Sequence, residues 1–210
     1  MLNYLLFENI YIKNSPNYIL YKMNKFILLV ALLTIVNSKV VMTKDQWVAA
    51  LIKIANSPSE YRAEWPYNVL YWDGRKWYCD CVNLLKALFN GRKIEKPKKG
   101  SHATDLSNTG DVATEGFIKL CDDVSTDFKK LKVGEPRVLH LNGHIGAYLG
   151  KEIQLKKGLV NVVECTAAWE HGALFSWVDY SDGTRRYAKG SKNVKGKWTR
   201  HAKPTKWVQY

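Results

Sequence analysis

The sequence is short of acidic residues and lacks most motifs that identify a ligand-dependent protein. It has 19 aspartates and glutamates against 32 lysines and arginines, which gives a formal net charge of +13. It contains no glycine-rich phosphate loop, no spacing of metal ligands, no internal repeat and no low-complexity linker. These absences exclude the common nucleotide-binding, zinc-binding and repeat architectures, and we expect no cofactor.

Cysteine is also scarce, with four residues in 210. Cys79 and Cys81 are separated by a single residue, which is wrong for a Cys-x-x-C zinc or redox site. If one cysteine acts as a catalytic thiol in a secreted chain, three remain, and they permit at most one internal disulfide. Cys79, Cys121 and Cys165 are candidates for that structural role, and the sequence does not select the pair.

No apolar run is long enough to span a membrane comfortably. The longest covers residues 26–36, about eleven residues where a transmembrane helix needs about twenty. It follows Met23-Asn24-Lys25 and ends at Val36-Asn37-Ser38, a pattern typical of a secretory signal peptide. We therefore expect an upstream extension (1–22), translation from Met23, a signal peptide (23–38) and one secreted domain (41–210) without a membrane anchor.

The most informative segment that is present surrounds Cys81. Apolar residues recur at helical spacing from Val82 to Phe89, Asp80 is a natural N-cap, and Asn90 begins a stop signal. Cys81 is therefore predicted to be the first helical residue. The free N–H groups and the macrodipole at a helix N-terminus favour a thiolate, which makes Cys81 the candidate nucleophile with a lowered pKa.

Two apolar segments downstream offer a base and a group to orient it. His144 opens a run bounded by Gly150, and Glu164 lies in a second β-branched run covering residues 159–169. The two runs are separated by a lysine-rich turn and should pair as antiparallel strands. Glu164 can then approach His144 and hold its imidazole in the useful tautomer.

Each of these residues has a less specific interpretation. Cys81 can be a buried structural thiol or half of a disulfide, because free cysteine is among the most buried residue types. Glu164 can be an ordinary exposed strand carboxylate. His140, four residues before His144, is a competing base that periodicity does not exclude, although the flanking Gly143 favours His144.

The remaining elements indicate an α+β fold. Thr43 and Gln46 form a predicted capping box for a first helix that ends near Asn56. A loop rich in aromatic residues then leads to the helix of Cys81, a further short helix is predicted over residues 115–122, and strands follow.

These segments resemble the NlpC-type cell-wall cysteine endopeptidases, a compact papain-like family. Asp80-Cys81 with its apolar helix resembles the nucleophile motif, residues 143–150 resemble the Gly-His-Val-Gly-Ile-Tyr strand, and residues 163–166 resemble the strand of the third catalytic residue. Residues 65–68, 71–74 and 121–128 extend the likeness from about Thr43 to the C-terminus. The resemblance implies a papain-like fold with N-terminal helices packed on a central antiparallel sheet.

The resemblance also implies an activity and a role for each residue. Cys81 attacks a peptide carbonyl, His144 moves the proton, Glu164 orients the imidazole, and Tyr67 with the Cys81 N–H binds the oxyanion. The substrate is the stem peptide of bacterial peptidoglycan, at the bond between D-γ-glutamate and the diamino acid. An N-acetylmuramoyl-L-alanine amidase or an acyltransferase with the same Cys-His pair is an alternative.

Two departures from the family pattern concern substrate detail. Cys81-Val82-Asn83 stands where many members have Cys-Ser-Gly, and Glu164 stands where many have histidine, asparagine or aspartate. A carboxylate can orient an imidazole, so neither departure removes the chemistry.

The basic residues predict a polyanionic partner such as the bacterial wall. A cationic C-terminal segment, residues 185–206, has nine lysines and arginines without apparent acidic neighbours. Aromatic residues in and just after this segment (Tyr187, Trp198, Trp207 and Tyr210) also suit single-stranded nucleic acid, whose bases stack on aromatic rings. A secreted cationic wall- or nucleic-acid-binding protein without catalysis is therefore the main alternative. Because no nucleic-acid motif is present, we expect peptidoglycan as the partner, no specific nucleic acid, and a monomer.

Overall fold

The structure, a computed structural model, describes residues 40–94, 98–103 and 105–210. These described residues form one compact unit. The predicted upstream extension and signal peptide lie outside the described residues. The described helices are α1 (Lys44–Ala55), α2 (Cys81–Phe89) and α3 (Thr114–Lys119), with a 3-10 turn at Phe128–Lys130. None of these helices has the length and apolar character needed to cross a bilayer.

Strands make up most of the regular structure. In chain order they are β1 (Met42–Thr43), β2 (Ser59–Tyr61), β3 (Tyr71–Trp72), β4 (Trp77–Cys79), β5 (Asp122–Ser125), β6 (Arg137–Leu141), β7 (His144–Leu155), β8 (Gly158–Thr166), β9 (Gly172–Val178), β10 (Thr184–Arg186), β11 (Val194–Lys197), β12 (Arg200–Lys203) and β13 (Val208–Gln209).

One large antiparallel sheet organises the described part of the chain. Its eight strands follow the order β11-β10-β9-β8-β7-β6-β12-β5, and each of their recorded pairings is antiparallel. With few helices beside a large antiparallel sheet, the fold confirms the α+β class at this coarse level.

The segment between α1 and α2 differs from the prediction. A small sheet of order β2-β4-β3 stands where an irregular aromatic loop was expected. Strand β2 runs parallel to β4, which ends two residues before Cys81. These strands are only two or three residues long, too short for a period-two pattern to be recognised in the sequence.

Helix α1 forms where the sequence predicts it. Thr43 and Gln46 make both hydrogen bonds of the capping box. The buried face carries Trp47, Leu51 and Ile54, which recur at three- and four-residue spacing and pack into the main core.

Helix α2 begins at Cys81 with Asp80 as its N-cap, as predicted, but it is buried on every side. One side packs on β7 and β8. The chain after residue 105 covers the other side, where Lys86, only 2% exposed, donates to the Asp111 carboxylate at 2.8 Å. The polar side chains of α2 are therefore buried as well, because a distant segment removes them from solvent.

The β6–β7 hairpin separates the two competing histidines. His140 lies in β6 and His144 is the first residue of β7, opposite Leu141. Asn142 and Gly143 form the two-residue connection, and Gly143 has a φ of 74°. Glycine adopts this positive φ without a steric penalty, whereas Asn142 does not have a positive φ. Strand β7 continues past Gly150 to Leu155, further than predicted.

The sheet is buried on both faces. Ile145, Ala147 and Val163 belong to the core cluster that contains the helices. Tyr148 and Val162 belong to a second cluster that includes Trp198. This alternation along β7 and β8 follows the period of two in a strand and places His144 and Glu164 on the side of the second cluster.

Candidate active site

A histidine and a glutamate meet at the end of the β7–β8 pair. Glu164 lies opposite Gly146, two residues along from His144, so the two side chains are diagonal neighbours on one face of the sheet. His144 Nε2 lies 2.6 Å from Glu164 Oε2. The strand pairing therefore brings these residues together as predicted.

Glu164 is fully buried and is held by more than the histidine. Arg185 Nε donates to both carboxylate oxygens, at 3.0 and 2.8 Å, and Ser176 Oγ donates to Oε1. Burial by itself would raise the pKa of Glu164, but His144 and then Arg185 lower it to about 2. The side chain is therefore a carboxylate at neutral pH, which corrects the alternative of an exposed strand residue.

Arg185 is positioned by its own contacts. Its guanidinium lies over the rings of Trp169 and Trp198, 4.7 and 5.6 Å from their centroids. It also donates to Thr166 Oγ1 and to the Lys195 carbonyl, at 3.0 and 3.1 Å. These contacts fix the guanidinium beneath the carboxylate that His144 contacts.

The imidazole of His144 is oriented by an aromatic ring as well as by Glu164. Its ring stacks on Trp198 with a centroid distance of 5.4 Å and an interplanar angle of 22°. Only 13% of the side chain is exposed. Nε2 faces Glu164, and no hydrogen bond among the described residues joins the imidazole to Cys81, which lies in the core cluster on the other face of the sheet.

Cys81 packs against the residue that follows this histidine. It lies in the same core cluster as Ile145, whose backbone N–H lowers the pKa of the thiol. Burial and the neighbouring Asp80 outweigh that effect and raise the pKa of Cys81 to about 12. The expected lowering at the helix N-terminus is therefore wrong in direction, because Cys81 is only 7% exposed and desolvation disfavours its anion.

Asp80 connects the helix cap to this electrostatic balance. Its carboxylate accepts hydrogen bonds from the Asn83 backbone N–H at 2.6 Å and from Asn83 Nδ2 at 2.7 Å. Burial raises the pKa of Asp80. The same side chain that starts α2 also places an acidic group beside the thiol.

Tyr67 and Tyr61 occupy different places around Cys81. Tyr67 is 36% exposed, and its ring packs on Tyr71 and Tyr78 with centroid distances of 5.1 and 5.2 Å. Tyr61 pairs with Cys79 across β2 and β4, and burial followed by the charge of Cys81 raises the pKa of its phenol. Tyr61 is thus the tyrosine whose ionisation is linked to Cys81, and the sequence interpretation did not select it.

The ring nitrogens of His140 contact Arg200 and Glu115 rather than Glu164. Its Nδ1 accepts a hydrogen bond from Arg200 at 3.1 Å, and its Nε2 lies 3.4 Å from Glu115. Burial, followed by the charge of Arg200, lowers its pKa. The structure therefore places His144, rather than His140, against Glu164.

Several basic side chains of the cationic C-terminal segment are paired with acidic residues, which the sequence did not predict. Several of its charges have acidic partners: Arg185 with Glu164, Lys197 with Asp182, Arg200 with Glu115 and Lys203 with Glu135. The expectation of cations without acidic neighbours was wrong, since these partners come from distant strands and loops. Trp198 and Trp207 are each 1% exposed and are not available to stack on bases.

Sequence reasoning missed the residues that support the dyad. Ser176 and Arg185 lie 12 and 21 residues after Glu164, on β9 and β10. The alternation of β9 puts Ser176 on the face of Glu164, a polar residue in an otherwise apolar run, and that was the available signal. Arg185 and Trp198 carried no local signal that separated them from the other residues of the basic segment.

In the part of the chain that the structure describes, no group of three or more histidine, cysteine, aspartate or glutamate side chains could hold a metal ion. No family model, curated protein or solved structure matches this chain in the comparisons with known proteins. The geometry of His144, Glu164 and Cys81 and the chemistry of these residues are therefore what indicate a function.

Proposed function

We propose that the protein is a secreted cysteine endopeptidase of bacterial peptidoglycan with an NlpC-type, papain-like fold. The observation that carries the proposal is the 2.6 Å contact between His144 and a fully buried Glu164, next to the strand residue against which Cys81 packs. A nucleophile, a base and a group that orients the base are the set that covalent acyl transfer needs.

The reaction begins with a protonated thiol. Because burial raises the pKa of Cys81, His144 Nδ1 must take the proton as the sulfur attacks the scissile carbonyl. Glu164 accepts from Nε2–H and stabilises the imidazolium that forms. His144 then protonates the leaving amine, and water hydrolyses the resulting thioester by the reverse proton transfer.

Three donors are candidates for the oxyanion. The Cys81 N–H belongs to the first turn of α2, where backbone N–H groups have no acceptor within the helix. Tyr61 pairs with Cys79, two residues before Cys81, and Tyr67 is the residue that the family resemblance selects. The Asn68 carbonyl accepts from the Asp80 N–H at 3.3 Å, which ties the loop of Tyr67 to the start of α2.

The substrate follows from the resemblance and from charge. The stem peptide is the substrate class of the family, and the bond between D-γ-glutamate and the diamino acid is the proposed site of cleavage. A net charge of +13 favours association with the anionic wall, which an enzyme secreted through the signal peptide at residues 23–38 would meet.

The test is digestion of purified sacculi, with mass analysis of the released fragments. We expect the mature protein to expose a new amine on the diamino acid, and Cys81→Ala or His144→Ala to lower the rate at least about 10³-fold. Cys121→Ala is the matched control. Cys121 is also a buried thiol, but it donates a hydrogen bond to the Phe117 carbonyl on α3 and has no role in the proposed reaction.

Other outcomes select other functions. Release of intact stem peptides from muramic acid would identify an N-acetylmuramoyl-L-alanine amidase, and transfer to an added amine would identify an acyltransferase. If Cys81→Ala digests walls as fast as the parent protein, the catalytic proposal is wrong, and binding to walls without hydrolysis would then support the cationic binding protein.

A further inference from the structure

Three of the four cysteines lie close together beneath the candidate site. Cys79 and Cys165 have no exposed surface and share a core cluster with Cys81. Cys79 ends β4, two residues before Cys81, and Cys165 follows Glu164 in β8. Cys121 belongs to the same cluster but follows α3, where its thiol donates to the Phe117 carbonyl at 3.6 Å.

The contact between Cys79 and Cys165 is direct. Cys165 Sγ donates to the Cys79 carbonyl oxygen at 3.0 Å, across 86 residues of sequence. After burial, the neighbouring Cys79 side chain is the next cause that raises the pKa of Cys165. Because Cys165 Sγ contacts the main chain of Cys79 itself, the two cysteines are direct neighbours in the core, as a disulfide requires.

We propose that Cys79 and Cys165 form a disulfide bond when the chain folds under oxidising conditions, leaving Cys81 and Cys121 as thiols. Each thiol loses its proton, and the two sulfurs together give two electrons to a small-molecule disulfide such as glutathione disulfide. The new Sγ–Sγ bond forms as the sulfur–sulfur bond of the oxidant breaks, and two molecules of glutathione leave.

The bond should form before the core closes. Exchange requires a thiolate that the oxidant can reach, and the folded protein buries both sulfurs completely and raises the pKa of Cys165. Closing a loop of this length restricts the unfolded chain strongly, so the bridge would also stabilise the domain.

The bridge would join the two parts of the candidate site. Strand β4 leads through Asp80 into Cys81, and strand β8 carries Glu164. A covalent bond between them fixes the start of α2 relative to the buried carboxylate. It also removes Cys79 and Cys165 as partners with which Cys81 could form a disulfide, which keeps the nucleophile reduced.

The experiment is oxidative refolding followed by peptide mapping. The reduced protein is unfolded in guanidinium chloride, refolded in a glutathione redox buffer, unfolded again with iodoacetamide to block free thiols, and digested with trypsin. We expect peptide 77–86, alkylated at Cys81, linked to peptide 158–185, with a mass about 2 Da below the sum of these two peptides for the two hydrogens lost. Peptide 120–129, which contains Cys121, should be fully alkylated.

Variants identify the sulfur, because peptide 77–86 contains both Cys79 and Cys81. The link should persist in Cys81→Ser and Cys121→Ser and disappear in Cys79→Ser. A link that survives Cys79→Ser, a link to peptide 120–129, or four alkylated cysteines would each overturn the proposal. Because the experiment measures only peptide masses, four alkylated cysteines would contradict the disulfide and leave the proposed peptidase unaffected. A bond between Cys81 and Cys165 would contradict both the proposed disulfide and the proposed peptidase.

Discussion

Gly146 lies directly opposite Glu164 in the β7–β8 pair, and its missing side chain leaves the space that Trp198 occupies. A Cβ at this position would lie 2.9 Å from Trp198 Cη2 and 3.2 Å from Glu164 Cβ. The glycine therefore permits both the stacking of Trp198 on His144 and the close approach of Glu164.

Gly146→Ala should destabilise the protein and damage the site together. The added methyl group must displace the Trp198 ring or the backbone of β8, and such overpacking costs about 1–3 kcal/mol. We expect a lower midpoint in urea unfolding and a loss of activity larger than the loss of folded protein. Gly146→Ala with Trp198→Phe should recover part of the stability, and no recovery would argue against the contact with Trp198.

Arg185→Met should expose the cost of an unpaired buried carboxylate. Removing one partner of a buried ion pair typically costs about 3–5 kcal/mol, which denaturant unfolding would measure. Arg186→Met is the matched control, because the adjacent arginine is only half-buried and lies 3.8 Å from Asp179. Equal effects of the two substitutions would contradict the role assigned to Arg185.

The same substitution should move acid unfolding to higher pH. Glu164 has a folded-state pKa lowered from 4.5 to about 2, so its contribution to stability is complete above the unfolded pKa and is lost as pH falls toward 2. Arg185 is one cause of that lowering. Without it the folded-state pKa rises, the contribution shrinks, and we expect unfolding to begin at higher pH in an acid titration followed by tryptophan fluorescence.

Alkylation of Cys81 should depend steeply on pH. Burial and Asp80 raise the pKa of the thiol to about 12, so the thiolate fraction should rise about tenfold per pH unit between pH 7 and 9. We expect the iodoacetamide rate to follow it, measured in a Cys79→Ser background so that peptide 77–86 reports Cys81 alone. A rate independent of pH would show a preformed thiolate–imidazolium pair.

Asp80→Asn should speed that alkylation. The amide oxygen can still accept the hydrogen bond from the Asn83 N–H and asparagine is a good N-cap, but the negative charge that raises the pKa of Cys81 is removed. We expect a several-fold faster reaction at pH 8 with a change in stability below about 1 kcal/mol. A slower reaction would contradict the assigned electrostatic effect.

Two tyrosine substitutions should separate the candidates for the oxyanion. Removing an oxyanion donor usually lowers kcat about 10²–10³-fold. Tyr61→Phe is expected to approach that loss because Tyr61 pairs with Cys79, two residues before Cys81, and the charge of Cys81 contributes to the raised pKa of its phenol. Tyr67→Phe removes the same atom from a ring that packs on Tyr71 and Tyr78 and should cost less than about tenfold. The reverse ranking would restore Tyr67 to the role that the resemblance implies.

Several features could be predicted because they depend on neighbours in the chain. The capping box of Thr43 and Gln46, the start of α2 at Cys81, and the antiparallel partners His144 and Glu164 all follow from spacing and short turns. Asn142-Gly143 carried a hairpin signal that would have assigned His140 and His144 to separate strands. The small sheet before α2 could not be predicted, because strands of two or three residues have too few positions to show a pattern.

The helix that begins at Cys81 and the strands that carry His144 and Glu164 follow from the local pattern of residues. The surroundings of these groups follow from long-range packing: α2 is buried on all sides, Arg185 pairs with Glu164, and burial raises the pKa of the Cys81 thiol. Capping and pairing act between near neighbours, whereas burial and charge pairing depend on segments far apart in sequence, and desolvation at Cys81 outweighed the local helix effect.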